Sequence, residues 1–142
     1  MTAAATEVPE QVLEFTLGAE RYCVGIDRID EIVKPNEITE LPDTPPQVEG
    51  VMDLRGEMTT IMNPRLVFDI HEDGESRQIV IFNRDHDHRL GWLVDHVHKV
   101  SNLADADVDP VTDNRYVNGV LSDGDRFVIW VDPDGVNGAV ST

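Results

Sequence analysis

Apolar residues along this chain come in short, strand-length stretches, some alternating and some continuous, divided by Gly, Pro, Asp and Asn. Val12, Phe15 and Leu17 open a first strand, and Gly18-Ala19-Glu20 turns it into a second at Arg21 to Gly25. Ile26, Ile29, Ile32 and Val33 follow near-helical spacing until Pro35-Asn36 breaks it; a β-branched run this short predicts a twisted strand or a single helical turn. Ile38 to Leu41 predicts another short strand, and Pro42, Pro45 and Pro46 predict a loop because proline denies a ladder its donors. A hairpin over Val48 to Pro64 follows, with Arg55-Gly56-Glu57 at its turn. Asn63-Pro64, an N-cap followed by proline, predicts one helical turn over Arg65 to Phe68 that packs Leu66 and Phe68. Beyond a hydrophilic connector, His71 to Ser76, strands are predicted near 78–84 and 89–94, joined by Asp85-His86-Asp87-His88. Ser101 to Arg115 reads as an Asp-rich loop with Pro110 in place of a strand, and a final hairpin closes at Val131.

That final hairpin repeats the earlier one. V-E-G-V-M-D-L-R-G-E-M-T-T-I-M-N-P (Val48 to Pro64) and V-N-G-V-L-S-D-G-D-R-F-V-I-W-V-D-P (Val117 to Pro133) align without a gap, pairing Gly50 with Gly119, Met58 with Phe127 and Pro64 with Pro133. Upstream, Gln11 to Phe15 answers Gln78 to Phe82, and after a one-residue slip Val24 to Ile29 answers Trp92 to Val97. Agreement in order, spacing and glycine position predicts a tandem of two β-rich units. The boundaries that follow are a flexible leader over 1–10, one domain over 11–133 with subdomains at about 11–70 and 77–133, and a polar tail over 134–142.

At 142 residues and 40% hydrophobic, the chain can bury enough surface for one ordinary domain or two closely packed small barrels. Its apolar runs are too short to span a bilayer, and residues 1–10 lack the basic and apolar regions of a signal peptide, so a cytoplasmic protein without membrane insertion is expected. Cys23 is the single cysteine and lies in a strand-like run, which predicts a small buried apolar residue rather than a reactive thiol. The formal charge of −17, spread along the whole chain, repels phosphate and so argues against binding to nucleic acid or to an anionic membrane. With Lys34 and Lys99 as the only lysines, the acidic surface reads as adaptation to concentrated salt, where a Debye length of about 3 Å at 1 M screens the self-repulsion.

Candidate chemistry is sparse. His86 and His88 share a predicted hairpin tip, and His96 and His98 sit two apart on a predicted strand, so either pair could face one side as metal ligands. Exposed histidines without cysteines are usually solvated, and no metal or cofactor is expected. Asp105, Asp107 and Asp109 imitate the start of a calcium loop, but Pro110 stands where glycine is required and Tyr116 where the bidentate glutamate should be. No nucleophile elbow, zinc-protease helix, phosphate loop or dinucleotide fingerprint is present. What remains is a two-lobed β protein with the profile of a binding or scaffolding module and no catalytic residues.

In their order and spacing, four motifs carry a specific resemblance. V-x-G-V-x-x-L-R-G at Val48 to Gly56, I-x-x-I-x-E-I at Ile26 to Ile32, I-T-x-L-P at Ile38 to Pro42 and G-W-L-V-D-x-V at Gly91 to Val97 resemble the CheW-like family of chemotaxis coupling proteins, over roughly residues 11 to 133. The resemblance implies an all-β fold of two SH3-like five-stranded barrels packed side by side, with a hydrophobic interior between them. It also implies a non-enzymatic adaptor, recruited to membrane-bound receptor arrays, that joins the regulatory domain of the histidine kinase CheA to the hairpin tips of methyl-accepting chemoreceptors. A CheW-like regulatory module for another histidine kinase, and a small metal-binding protein using His86, His88, His96 and His98, stand as alternatives.

Carried over by position, Arg55 and Gly50 match residues associated with receptor coupling, as do Leu93 and Val94, while Glu31 and Ile32 match the kinase-facing edge. An amphipathic receptor helix calls for an apolar groove, here expected from Val51, Leu93, Val94 and Val97. Arg55 at its turn is placed to pair with Glu31 or to bond a partner. One departure from the family stands out: Asp132-Pro133-Asp134-Gly135 reads as a break, leaving a short polar tail where related chains carry a helix.

Overall fold

The computed structural model describes residues 9–70, 78–83, 89–102 and 106–138. Residues 1–8 of the leader, the connector 71–77, the tip Asp85 to His88, Asp105 and the tail 139–142 lie outside the described residues.

Twelve strands form in the described residues, six from each repeat. The first unit supplies β1 (Gln11–Leu17), β2 (Glu20–Gly25), β3 (Ile29–Val33), β4 (Ile38–Thr39), β5 (Val48–Leu54) and β6 (Glu57–Met62). The second supplies β7 (Gln78–Phe82), β8 (Leu90–Val94), β9 (His96–Asn102), β10 (Asp107–Pro110), β11 (Val117–Asp123) and β12 (Arg126–Val131). They assemble into two six-stranded sheets, ordered β10-β11-β12-β2-β1-β9 and β4-β5-β6-β8-β7-β3. The sixth strand of each is a short edge addition, β4 or β10, to the five expected.

These two orders are the same order once β1 is equated with β7, β2 with β8 and so on, so the duplication seen in the residues is a duplication of topology. Even the irregularities repeat: β5 slips against β6 between Val48 and Gly50, and β11 slips against β12 between Val117 and Gly119. In both copies the last strand pairs in parallel with the second strand of the other unit, β12 with β2 and β6 with β8. Each sheet thus draws on both halves of the chain. The segments 11–70 and 77–133 are repeat units, and neither coincides with a sheet.

Continuous apolar runs are explained by this arrangement, because the central strands are buried on both faces. Leu13, Phe15, Tyr22, Val24, Val80, Phe82, Trp92, Val94 and Val131 fill a core shared by the two sheets. The opposite faces of the same strands fill two smaller cores, with Val12, Cys23, Val128 and Trp130 in one and Ile61, Ile79 and Ile81 in the other. Cys23 is a free, buried thiol whose pKa burial pushes up, as its apolar run predicted.

Helix α1 (Pro64–Val67) begins where Asn63-Pro64 placed it, with the Asn63 side chain accepting from the Arg65 N–H at 3.1 Å. Its packing differs from expectation: Leu66 is exposed and Arg65 is buried, because Arg65 pairs with Asp95 beyond β8, whose other oxygen accepts from the Gly18 N–H at 2.8 Å. Phe68 does pack inward, against Tyr22.

Two expectations are corrected downstream. Pro110 does not abolish a strand; it ends β10, a sheet edge where a missing N–H costs no ladder bond, and stands opposite Gly119. Nor does Asp132-Pro133 end the fold. It starts helix α2 (Pro133–Gly138), with the Asp132 carboxylate accepting from the Asp134 N–H at 3.0 Å, as Asn63-Pro64 starts α1. Val136 of α2 is fully buried in the shared core, and Asn137 accepts the indole N–H of buried Trp92 at 2.8 Å. Arg28 holds α2 from outside, donating to both oxygens of Asp134. Among the described residues no helix is long and apolar enough to cross a membrane.

Candidate functional surface

Arg55 and Gly56 sit at positive φ, 51° and 84°, which makes the β5-β6 connection a tight hairpin turn of the kind that matches strand twist. The Asp53 carboxylate fixes the turn by accepting from the Gly56 N–H at 2.7 Å. Held there, Arg55 extends its guanidinium to Glu31 on β3 and donates to both carboxylate oxygens, one of them at 3.0 Å. This is the pair expected from the sequence, and its fork-to-fork geometry orients both side chains.

Sequence reasoning missed the residue that extends this pair into a network. Arg89, largely buried just before β8, donates to Glu31 at 3.2 Å, to Glu57 at 3.3 Å and to Asp30. Two cations therefore hold three carboxylates between β3, β6 and β8. The hydrogen bond from Arg55, opposed by desolvation and aided by the charges of Arg55 and Arg89, holds Glu31 below the usual carboxylate range. Glu31 in turn raises the pKa of Arg55. The only signal available was a lone Arg89 at the mouth of an apolar strand, flanked by His88, and spacing could not connect it to residues 30, 31 and 57.

The groove residues are not brought together as expected. Val51 is half-buried and, with Met58, Thr39, Asn36, Glu37 and Asp53, lines a concavity of about 290 Å³ beside the Arg55 turn. Leu93 is half-buried on the opposite face of the sheet, against the core that contains Ile61 and Ile79. Val94 is fully buried in the shared core and so offers no side chain to a partner; strand alternation puts it there beside Trp92. Val97 packs on the rim of that same core. Gly50 is buried with φ of +149°, and a Cβ there would lie 2.1 Å from the Thr39 carbonyl oxygen, so its place is structural. Ile32 is exposed beside Glu31 on β3.

His96 and His98 do share a face of β9, edge-to-face at 4.6 Å, and His98 Nε2 shares a hydrogen bond with the Thr16 hydroxyl. Burial, with the charges of Arg21 and His96, lowers the His98 pKa against the pull of Glu14. No group of three or more His, Cys, Asp or Glu suited to a metal occurs among the described residues. His86 and His88 lie outside them.

One further polar cluster was not foreseen. Glu14 is fully buried on β1, facing the core that contains Val12 and Cys23. It accepts from Arg21 at 3.2 Å, from Arg126 at 3.0 and 3.1 Å, and from the Ser101 hydroxyl, which ties β1 to β2, β12 and β9. Desolvation pushes its carboxyl up, but the bonds from Ser101 and Arg21 and the charge and bond of Arg126 outweigh it and hold the pKa low. The repeat places Ile81 at the equivalent position, so only one sheet carries this charge.

Known proteins agree with this architecture. The CheW-like domain family matches residues 11–139. The chemotaxis protein CheW of Helicobacter pylori is 32% identical over 126 residues, covering 83% of this chain and 75% of that protein. That of Thermotoga maritima is 27% identical over 130 residues, covering 89% and 86%. Among solved structures, the scaffolding protein TtCheW from Thermoanaerobacter tengcongensis superposes with a TM-score of 0.77 at 29% identity, covering 88% of this chain and 90% of that one.

Proposed function

Because this chain belongs to the CheW-like domain family, we infer that it is a chemotaxis adaptor that couples methyl-accepting chemoreceptors to the histidine kinase CheA. The observation that carries the reading is the match itself, which spans both repeats and extends through α2, together with a mostly β fold of two SH3-like subdomains. An adaptor needs two faces and no reaction centre; it acts by holding two partners in one geometry. We place it in the cytoplasm, recruited to membrane-bound receptor arrays.

The receptor face is assigned to the Arg55 turn and the adjoining concavity, where Val51 and Met58 offer apolar surface for an amphipathic helix and Arg55 offers a rim charge. Gly50 supports that face through the close approach of β4 to β5 that its missing Cβ permits, whereas Leu93, Val94 and Val97 lie in or against the cores and away from the concavity. The kinase face is assigned to the β3 edge with Glu31 and Ile32. Arg89 is what keeps Glu31 in place when Arg55 turns to a partner, since Glu31 retains a second cation.

The direct test is reconstitution: receptor-dependent autophosphorylation of the kinase, with and without this chain. Control that appears only when the chain is added supports the adaptor; kinase activity indifferent to it overturns the reading. Arg55→Ala is expected to fold normally, because Arg55 is exposed and alanine meets the same positive φ, yet to weaken receptor control of the kinase. Unchanged control in that variant would remove Arg55 from the receptor face.

Adaptation to concentrated salt is a further part of this proposal, resting on the charge of −17 and the scarcity of lysine. The melting temperature is expected to rise from millimolar to molar salt as self-repulsion is screened. A melting temperature unmoved over that range would end the idea.

A further inference from the structure

Sulfur is distributed unevenly in its access to solvent. Of the four methionines and one cysteine, Met1 lies outside the described residues. Cys23 is fully buried, and burial raises its pKa, so it offers little thiolate to an oxidant. Met52 and Met62 are 2% and 0% exposed and belong to cores. Met58, in contrast, is 61% exposed. Strand alternation accounts for this: β6 turns Thr59 and Ile61 inward and leaves Met58, next to the hairpin turn, on the opposite face. Met62 shares that face four residues further on, where the shared core already covers it.

The exposed thioether lines the concavity beside the Arg55 turn, together with Val51. Glu37 and Asp53 line it too, and their carboxylates repel anionic oxidants, which leaves the approach to a neutral one. The other repeat separates exposure from chemistry. Phe127 stands at the place equivalent to Met58 and is 67% exposed, so an exposed apolar side chain belongs to the position in both units, and sulfur to this one alone.

We propose that Met58 is a reversible oxidation site, where hydrogen peroxide converts the thioether to a sulfoxide and so weakens the hold on the receptor; this rests on the assignment of the receptor face to the Arg55 turn. A lone pair on the Met58 sulfur attacks one peroxide oxygen, and the S–O bond forms as the O–O bond breaks. The departing hydroxide takes the proton of the transferred hydroxyl and leaves as water. Sulfur gives up two electrons and the peroxide gains them. The product sets a polar oxygen on the patch that Val51 and Met58 offer to an amphipathic helix, and burying that oxygen without a partner costs affinity. The exposure that admits peroxide also admits a methionine sulfoxide reductase, so the change can be undone.

The test begins with the purified full chain alone. After graded exposure to hydrogen peroxide, peptide mapping by mass spectrometry is expected to show sulfoxide forming at Met58 about tenfold faster than at Met52 or Met62. Equal rates at the three sites overturn the proposal. Receptor-dependent kinase control is then measured with the peroxide removed beforehand, each protein being compared with itself before and after treatment. Oxidised wild type is expected to require about tenfold more chain for half-maximal control, and to recover after incubation with a methionine sulfoxide reductase. Met58→Leu is expected to hold its own untreated level, whatever that level is. Oxidised wild type that couples as before, a loss the reductase does not reverse, or an equal loss in Met58→Leu overturns the proposal. A kinase indifferent to the untreated chain is a separate failure: it overturns the adaptor reading and the switch with it, while the ranking of the three sulfurs still stands on the chain alone.

Discussion

Glu14→Ala is expected to lower the unfolding free energy by about 3 kcal/mol, the order of loss found when one partner of a buried charge cluster is removed. Glu14 is the fully buried centre of a cluster that joins four strands of one sheet, so its loss leaves Arg21 and Arg126 facing each other with no carboxylate between them. Both arginines are a third or more exposed and can turn to water, which keeps the loss at the lower end of that range. Glu14→Ile, which copies Ile81 of the other repeat, should cost less because it restores the lost volume. Urea titrations of the three proteins at one salt concentration decide this; an alanine variant as stable as wild type would show that the cluster contributes nothing net.

A pH dependence follows with a definite sign. The folded-state pKa of Glu14 is depressed, so its contribution is fully present above the ordinary carboxylate pKa and is lost as pH falls through the lower folded value. Wild type should therefore lose stability on acidification more steeply than Glu14→Ile.

Gly50→Ala is expected to cost about 3 kcal/mol or more. A Cβ at this position would sit 2.1 Å from the Thr39 carbonyl oxygen and 2.7 Å from its carbon, and the neighbour is backbone, so β4 must move away from β5. Gly119 meets the same constraint against Asp109 in the other sheet, 2.8 Å away, so both hairpins are glycine-dependent for one reason. This separates two explanations for any loss of receptor coupling in a Gly50 variant. Thermal melts with a large drop mark Gly50 as structural; a stable variant that fails only in coupling would return it to the receptor face.

Much of this molecule was legible because its sequence repeats. Glycine and proline positions located both hairpins, Asn63-Pro64 located α1, and the family resemblance that singled out Arg55 and Glu31 offered their pairing as one of two possibilities. The partition of strands between sheets was not legible, since pairing β1-β2 within its own repeat or across to the other satisfies the same apolar pattern. Helix α2 was missed although Asp132-Pro133 carries the signal that Asn63-Pro64 carries, because Gly135 reads as a breaker. In the structure Gly135 is needed there: a Cβ would lie 1.7 Å from the Arg115 carbonyl oxygen. Buried Glu14 and Arg65 escaped notice because a charged residue in an apolar run gives no sign of whether partners from distant strands will meet it. Val94 and Leu93 are adjacent in sequence and belong to different cores, which a groove inferred from apolar character alone could not separate.

The parallel pairing of β2 with β12 also governs how this protein must be born. β3 to β8 are complete by Val94, so one sheet can close while the ribosome is still at work on the rest. β1 and β2 emerge first and yet belong to the other sheet, whose remaining strands are made last. At about 5–20 residues per second, the opening hairpin waits on the order of 5–20 s, with the face that carries Val12 and Cys23 uncovered, for a partner about a hundred residues behind it. The earliest strands of the nascent chain are thus its longest unprotected ones, and the surface most in need of a chaperone's cover during synthesis.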